Sequence, residues 1–102
     1  MATTFRALAD PTRRRILDLL REKPRLVGEL ADLLGISQPG VSKQLRVLRE
    51  SGLATVRVDA QRRIYRLNPD GLREVDDWLA PFRKFWEERL DEMERTLDSM
   101  ED

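Results

Sequence analysis

Residues 26–49 read LVGELADLLGISQPGVSKQLRVLR, and this stretch decides the fold. Leu26, Leu30, Ala31 and Leu34 recur at helical spacing and form one apolar stripe. Gly35 is placed to stop that helix, where a left-handed residue is easiest to accommodate. Ile36 is expected to plug the turn. Ser37 is a good N-cap for a second helix, with Pro39 in its first turn. Val41, Leu45 and Leu48 then face inward, Lys43 and Arg46 lie on the opposite face, and Gln38 and Ser42 sit near the N-terminus. A short helix with hydrogen-bonding groups and cations on its free face suits a DNA major groove. The spacing therefore predicts a helix-turn-helix over 26–50.

Two short amphipathic helices joined by a glycine turn also occur in domains that never touch DNA, so fold alone does not settle function. The following segment, LATVRVDAQRRIYRLN, adds to the argument. Leu53, Thr55 and Arg57 alternate with Ala54, Val56 and Val58, and Ile64, Tyr65, Arg66 and Leu67 make a second β-prone run. Ser51-Gly52 supplies the stop before them. The stretch 53–67 reads as a two-stranded hairpin with Asp59, Ala60, Gln61, Arg62 and Arg63 at a polar, basic tip. A hairpin directly after a recognition helix is a wing, and Arg62 and Arg63 are placed to reach phosphates or a minor groove. The expected architecture is mainly α with a small β-hairpin, a winged helix-turn-helix with a long C-terminal dimerisation helix.

The chain has 102 residues, enough for one small domain spanning 1–102. It contains neither cysteine nor histidine. That removes the ligands that zinc, copper, nickel and iron sites normally use, and the usual nucleophile and general base of acyl transfer. No metal, cofactor or enzymatic activity is expected. No apolar run reaches membrane-spanning length, and residues 1–25 lack the apolar core of a signal peptide, so the expected location is cytoplasmic. The formal net charge of zero conceals a polarity. Residues 1–66 carry 14 Lys/Arg against 7 Asp/Glu, whereas residues 67–102 carry 5 against 12. A basic front and an acidic rear fit a module that turns one side to phosphates.

Ahead of the helix-turn-helix, residues 4–9 are expected to form a short helix presenting Phe5 and Leu8. Asp10-Pro11 reads as an N-cap and first-turn proline for a helix running to about Glu22, with Ile16, Leu17, Leu19 and Leu20 on its buried side. Arg13, Arg14 and Arg15 fall in its first turn, where they oppose the helix dipole. Either the surface tolerates them or they serve an acidic partner such as phosphate. Lys23-Pro24 ends the helix. After the wing, Asn68-Pro69 reads as a further cap-plus-proline start. Leu72, Val75, Leu79, Phe82, Trp86, Leu90 or Met93, Leu97 and Met100 then follow at spacings of three and four. Pro81 is expected to divide or kink this stretch. The last turns have little left to pack against in one subunit. A homodimer is therefore expected, with 1–9 and 69–102 forming the interface through Phe5, Leu8, Leu79, Phe82, Trp86, Leu90, Met93 and Leu97. Trp78, Phe82 and Trp86 are read as packed core, with a small apolar ligand in a dimer cavity as their other use.

FRALADPTRRRILDLL (5–20), VGELADLLGISQPGVSKQLRVLRESGLATVR (27–57) and RRIYRLNPDGL (62–72), in this order, resemble the characteristic stretches of the ArsR/SmtB family of winged-helix repressors. The resemblance covers essentially the whole chain. It implies a dimeric transcriptional regulator, usually a repressor acting at an operator near its own gene. The family's base-reading residues map onto Gln38, Ser42, Lys43, Gln44 and Arg46, flanked by Ser37 and Pro39 at the helix start, and its wing contacts onto Arg62 and Arg63. Metal-sensing relatives place paired cysteines where this chain has ELADLLG, or Asp/His sets on the C-terminal helix, where this chain has no histidine. The chain is thus more similar to the metal-free, SdpR-like autorepressor branch. The implied partners are double-stranded DNA with a near-palindromic operator and a second copy of the chain, with no membrane and with an unknown protein or small-molecule inducer. The alternative kept open is a winged-helix docking module without sequence-specific DNA binding.

Overall fold

Apolar spacing and local caps build the N-terminal helices, and a computed structural model describes residues 2–101. Met1 and Asp102 of the expected 1–102 span lie outside the described residues. Helix α1 (Ala2–Leu8) leads into α2 (Pro11–Glu22), whose N-cap Asp10 accepts from the Arg13 amide at 3.0 Å. Helix α3 (Val27–Leu34) ends at Gly35, which takes φ 70° as expected of a left-handed stop. Helix α4 (Gln38–Glu50) follows, capped by Ser37. Strands β2 (Ala54–Asp59) and β3 (Arg62–Leu67) form the antiparallel hairpin, and a 3-10 turn (Pro69–Leu72) leads into α5 (Arg73–Glu101).

The core lies where α2, α3, α4 and the base of the hairpin meet. Ile16, Leu30, Val41, Leu45, Leu48 and Leu53 have no exposed surface, and Ala54 and Tyr65 close the core from the sheet side. Burying side chains of this size stabilises by about 1.5–3 kcal/mol each, which makes this cluster the main source of stability in the globular part.

Four expectations are corrected. First, Arg25–Leu26 forms a two-residue strand, β1, paired with Tyr65 and Ile64, so the sheet has three strands in the order β1-β3-β2. Leu26 therefore belongs to the sheet rather than to the stripe of α3. Pro24 holds Lys23, the residue before it, in extended backbone and so ends α2 just ahead of the strand, and two residues are too few to show a period of two. Second, Ile36 does not plug its turn; it is exposed. Third, Asn68-Pro69 starts a 3-10 turn rather than the long helix itself, and Asn68 holds the N-cap position without a side-chain capping bond, its side chain instead donating to the Gly52 carbonyl at 2.8 Å. Fourth, Pro81 does not divide the C-terminal segment, which is one helix of 29 residues, about 43 Å long. Proline removes one ladder bond. Beside it, Arg83 donates to both the carbonyl and the carboxylate of Asp76, at 2.7 and 2.6 Å, a tie that spans the turn containing the proline although the carbonyl left without its ladder partner is that of Asp77.

Helix α5 gives the molecule its elongated shape, 66 × 28 × 21 Å. Its start is fastened at two places. Phe5 of α1 meets Trp78 edge-to-face at 5.9 Å, and Trp78 lies 4.8 Å from Phe82. Gly71, in the 3-10 turn, passes so close to the end of α4 that a Cβ there would stand 2.2 Å from the Gly52 carbonyl oxygen. The obstacle is backbone on both sides, so no rotamer relieves it. Gly71→Ala is expected to destabilise the fold by about 1–3 kcal/mol, read as a lower urea midpoint at fixed protein concentration. An unchanged midpoint would show that the 3-10 turn can part from Gly52 freely.

Candidate nucleic-acid interface

The amphipathic spacing of α4 is realised in full: Val41, Leu45 and Leu48 are buried, while Gln38, Ser42, Lys43 and Arg46 are exposed on the other side. Ser37 holds the start of the helix, its Oγ accepting from the Gly40 amide at 3.2 Å. Pro39 lies in the first turn, where a missing N–H costs no helical bond. Gln38 lies against the beginning of α3, its amide nitrogen 3.5 Å from where a Cβ on Gly28 would be.

The wing lies beside this helix. A cleft of about 570 Å³ separates them, lined by Ser42, Arg46, Arg49, Thr55, Val56 and Arg63 together with Ala54 and one carboxylate, Glu50. A second recess, about 350 Å³, is lined by Val27, Gln38, Ser42, Gln61, Arg62 and Arg63. Ser42 and Arg63 border both, so the free face of α4 and the wing form one continuous, cation-rich surface. Ser42, Arg46 and Arg49 stand at i, i+4 and i+7 and share one helical face. Arg49 was missed in the sequence, although that spacing from Ser42 would have found it.

The wing tip differs from the expected five-residue loop. The turn is only Ala60 and Gln61, with Ala60 at φ 57°, a region that glycine or asparagine fills at less cost. Arg62 and Arg63 are the first residues of β3, paired with Asp59 and Val58. Successive strand residues point to opposite faces. Arg63 shares the face of Val56 and Tyr65 and borders the α4 cleft. Arg62 lies on the outer face and meets Asp59 at 3.4 Å.

Among the cations, the structure separates those held inside the protein from those left outside. Arg25 is only 10% exposed at its side chain; it donates to the Leu19 carbonyl at 3.2 Å and to Glu22 at 2.7 Å. Arg13 and Arg14 do not simply tolerate an unfavourable helix end. Their guanidiniums bond the carbonyls of Arg6, Ala7 and Leu8, at 2.6–3.1 Å, and so cap the C-terminus of α1 where cations are favoured. Gln44, a base-reading position by the family resemblance, is half-buried and accepts from Arg13 Nη1 at 2.9 Å. Arg46 pairs with Glu50 at 3.0 Å, both strongly exposed. Such pairs are worth only about 0.2–1 kcal/mol, so Arg46 and Arg62 can exchange their carboxylates for an outside anion. Among the described residues no cluster of three or more His, Cys, Asp or Glu could hold a metal, and no helix is long and apolar enough to cross a membrane.

A helix-turn-helix followed by a β-hairpin wing with basic residues defines the winged helix-turn-helix class. A model of the helix-turn-helix domain matches residues 8–57. The HTH-type transcriptional regulator Rv2034 of Mycobacterium tuberculosis is 40% identical over 95 residues, covering 93% of this chain and 86% of that protein. The transcriptional repressor SdpR of Bacillus subtilis is 34% identical over 82 residues, covering 80% of this chain and 91% of that protein. The homodimeric winged helix-turn-helix DNA-binding domain Mb0332 of Mycobacterium bovis superposes with a TM-score of 0.67 at 31% identity. That match covers 78% of this chain and 77% of the other. The chain belongs to the ArsR/SmtB family of winged helix-turn-helix transcriptional regulators.

The cap at Ser37 sets where α4 begins and hence where Gln38 and Ser42 stand. Ser37→Ala is expected to cost about 1 kcal/mol, seen as a lower urea midpoint with an unchanged slope. An unaltered midpoint would mean that water satisfies the Gly40 amide equally well.

Proposed function

We propose that this chain is a homodimeric, sequence-specific DNA-binding repressor of its own operon, one that does not sense metal ions and works in the cytoplasm. The observation that carries the reading is the continuous surface formed by α4 and the wing. It exposes Gln38, Ser42, Lys43 and Arg46 beside Arg63, with the apolar half of α4 fully buried behind it. In this reading α4 enters a major groove and these side chains meet base edges, with Ser37 and Pro39 placing the first turn against the backbone. Arg62 and Arg63 take phosphates or the minor groove on either side of the wing. The acidic residues of α5 stay away from the duplex, which the split of charge along the chain supports. Absence of cysteine and histidine supports the metal-independent part, because the donors that such sensors use are missing from the sequence.

The dimeric part rests on α5 and α1. Phe82, Trp86, Leu90, Met93, Leu97 and Met100 are each at least 43% exposed in the single chain. Covering the exposed part of twelve such side chains in an isologous pair stands for about 10–20 kcal/mol of apolar burial. Association costs about 4–15 kcal/mol, so a second copy is a favourable cover. Leu79 and Leu8 are half-buried already and contribute at the base of the seam, next to Phe5. Two-fold pairing sets two recognition helices against successive major grooves, hence a near-palindromic operator. SdpR is a transcriptional repressor by name and the Mb0332 domain is homodimeric, which supports both parts of the reading.

Fluorescence anisotropy on the DNA upstream of its own gene and on a scrambled duplex, at two salt concentrations, tests the reading. Preference for the native fragment by several hundred-fold, with two protomers per duplex and no change on adding zinc, nickel or arsenite, is the expected result. Lys43→Ala is expected to reduce that preference about tenfold, one good base contact. Arg62→Ala with Arg63→Ala is expected to weaken binding to both duplexes and to lower the salt slope by about two. No binding to either duplex would bring the docking-module reading forward. For the interface, Leu90→Glu is expected to leave the fold intact, because Leu90 is 63% exposed, and to convert the dimer to monomer in sedimentation velocity. A dimer that survives this change would remove the distal half of α5 from the interface.

A further inference from the structure

Arg13 is the most heavily bonded cation of the molecule among the described residues, and its bonds join three helices. Its Nε donates to the Ala7 carbonyl at 2.7 Å and Nη2 to the Arg6 carbonyl at 3.1 Å, which fixes the guanidinium against the end of α1. Its Nη1 donates to Gln44 Oε1 at 2.9 Å, across 31 residues of sequence. A guanidinium presents its donors in a rigid planar fork. Once the two carbonyls of α1 are engaged, the direction in which Nη1 points is set. The partner it meets is one residue beyond Lys43 and two before Arg46, on the flank of α4 between its buried and free faces.

We propose that Arg13 is a positioning residue that sets the placement of the recognition helix, with Gln44 as the receiving group on α4 rather than a base reader. A glutamine that reads adenine uses carbonyl oxygen and amide nitrogen together, and here the oxygen is turned back into the protein toward α2. The buried face of Val41, Leu45 and Leu48 fixes which way α4 is rotated, but an apolar contact is non-directional and leaves small shifts inexpensive. A charge-assisted hydrogen bond from a guanidinium already held by two carbonyls resists such shifts. Because α1 also carries Phe5 against Trp78, the same residue joins the placement of α4 to the first turns of α5. Arg15, two positions on and exposed, differs in having no such set of bonds among the described residues.

The inference rests on the DNA-reading function proposed above, and a double-mutant cycle separates the two. Arg13→Met, Gln44→Met and the double variant are titrated onto the native and scrambled duplexes in parallel with the unsubstituted protein. Gln44→Met is expected to lower the native-to-scrambled affinity ratio about tenfold, with scrambled binding and the salt slope unchanged. The double variant is expected to lose no more than Arg13→Met alone, because both changes remove one tie. Gln44→Glu, whose carboxylate accepts from the same guanidinium, is expected to restore the ratio that Gln44→Met loses. Multiplying losses in the double variant, or a reduced salt slope for Arg13→Met, overturns the proposal, since each residue would then meet DNA on its own. An unselective unsubstituted protein overturns the DNA-reading function instead. The tie is then decided by hydrogen exchange of the α4 amides. Protection is expected to fall in both single variants and no further in the double, and unaltered protection overturns it.

Discussion

Everything outward on this molecule follows from the inward face of α4. Val41, Leu45 and Leu48 are fully buried against α2, α3 and the segment that leads into the sheet. Each successive residue turns about 100° around a helix axis, so burying these three leaves Ser42, Arg46 and Arg49 no direction but out. Rotating α4 by a single position would exchange apolar contacts worth about 1.5–3 kcal/mol each for a buried cation, which costs several kcal/mol more. The polar surface needs no favourable interaction of its own to be displayed. Its exposed pairs, such as Arg46 with Glu50, are worth too little to compete.

Charge is sorted by the same logic. Arg25 sits where β1 meets α2 and α3, and its guanidinium is matched by a carbonyl and two carboxylates, Glu22 and Glu29. Glu29 in turn accepts from the Leu26 amide at 3.2 Å, so one ion cluster ties the new strand to the helix it precedes. Arg13 and Arg14 are spent on the carbonyl end of α1. The arginines of α4 and the wing, by contrast, stay exposed and are held by no more than surface pairs. The two large surfaces of the chain, one cationic on α4 and the wing and one apolar on α5, are built from different residues and suit partners of different chemistry.

Much of this was legible in the residue order because its causes are local. Asp10 and Ser37 cap the helices they precede, Gly35 adopts the left-handed conformation for which it was singled out, and the alternation of 54–58 and 64–67 is a hairpin. The expected face of α4 is the observed one for Gln38, Ser42, Lys43 and Arg46. Where the reading failed, the deciding partner was distant or the element very short. β1 has two residues; Asn68 turns to a carbonyl 16 positions away rather than to its own helix. The wing turn came out two residues long because Asp59 and Arg62 pair across it, and that placed Arg62 and Arg63 on opposite faces.

The order of residues by itself determined the main helices and the two strands of the hairpin, which helix carries the polar, cationic face, and that the C-terminal seam outlasts the core available to cover it. These are matters of period and of capping, which act within a few residues. Only the tertiary structure decided what each arginine does and what becomes of the helix at Pro81. Arginines are alike in a sequence, and a guanidinium's role depends on whether folding brings a carbonyl, a carboxylate or only water within about 3 Å. Likewise the residue order shows where a proline falls but not whether the helix runs on past it; here it does, with Arg83 reaching back to Asp76 across that turn, a contact that only the folded helix supplies.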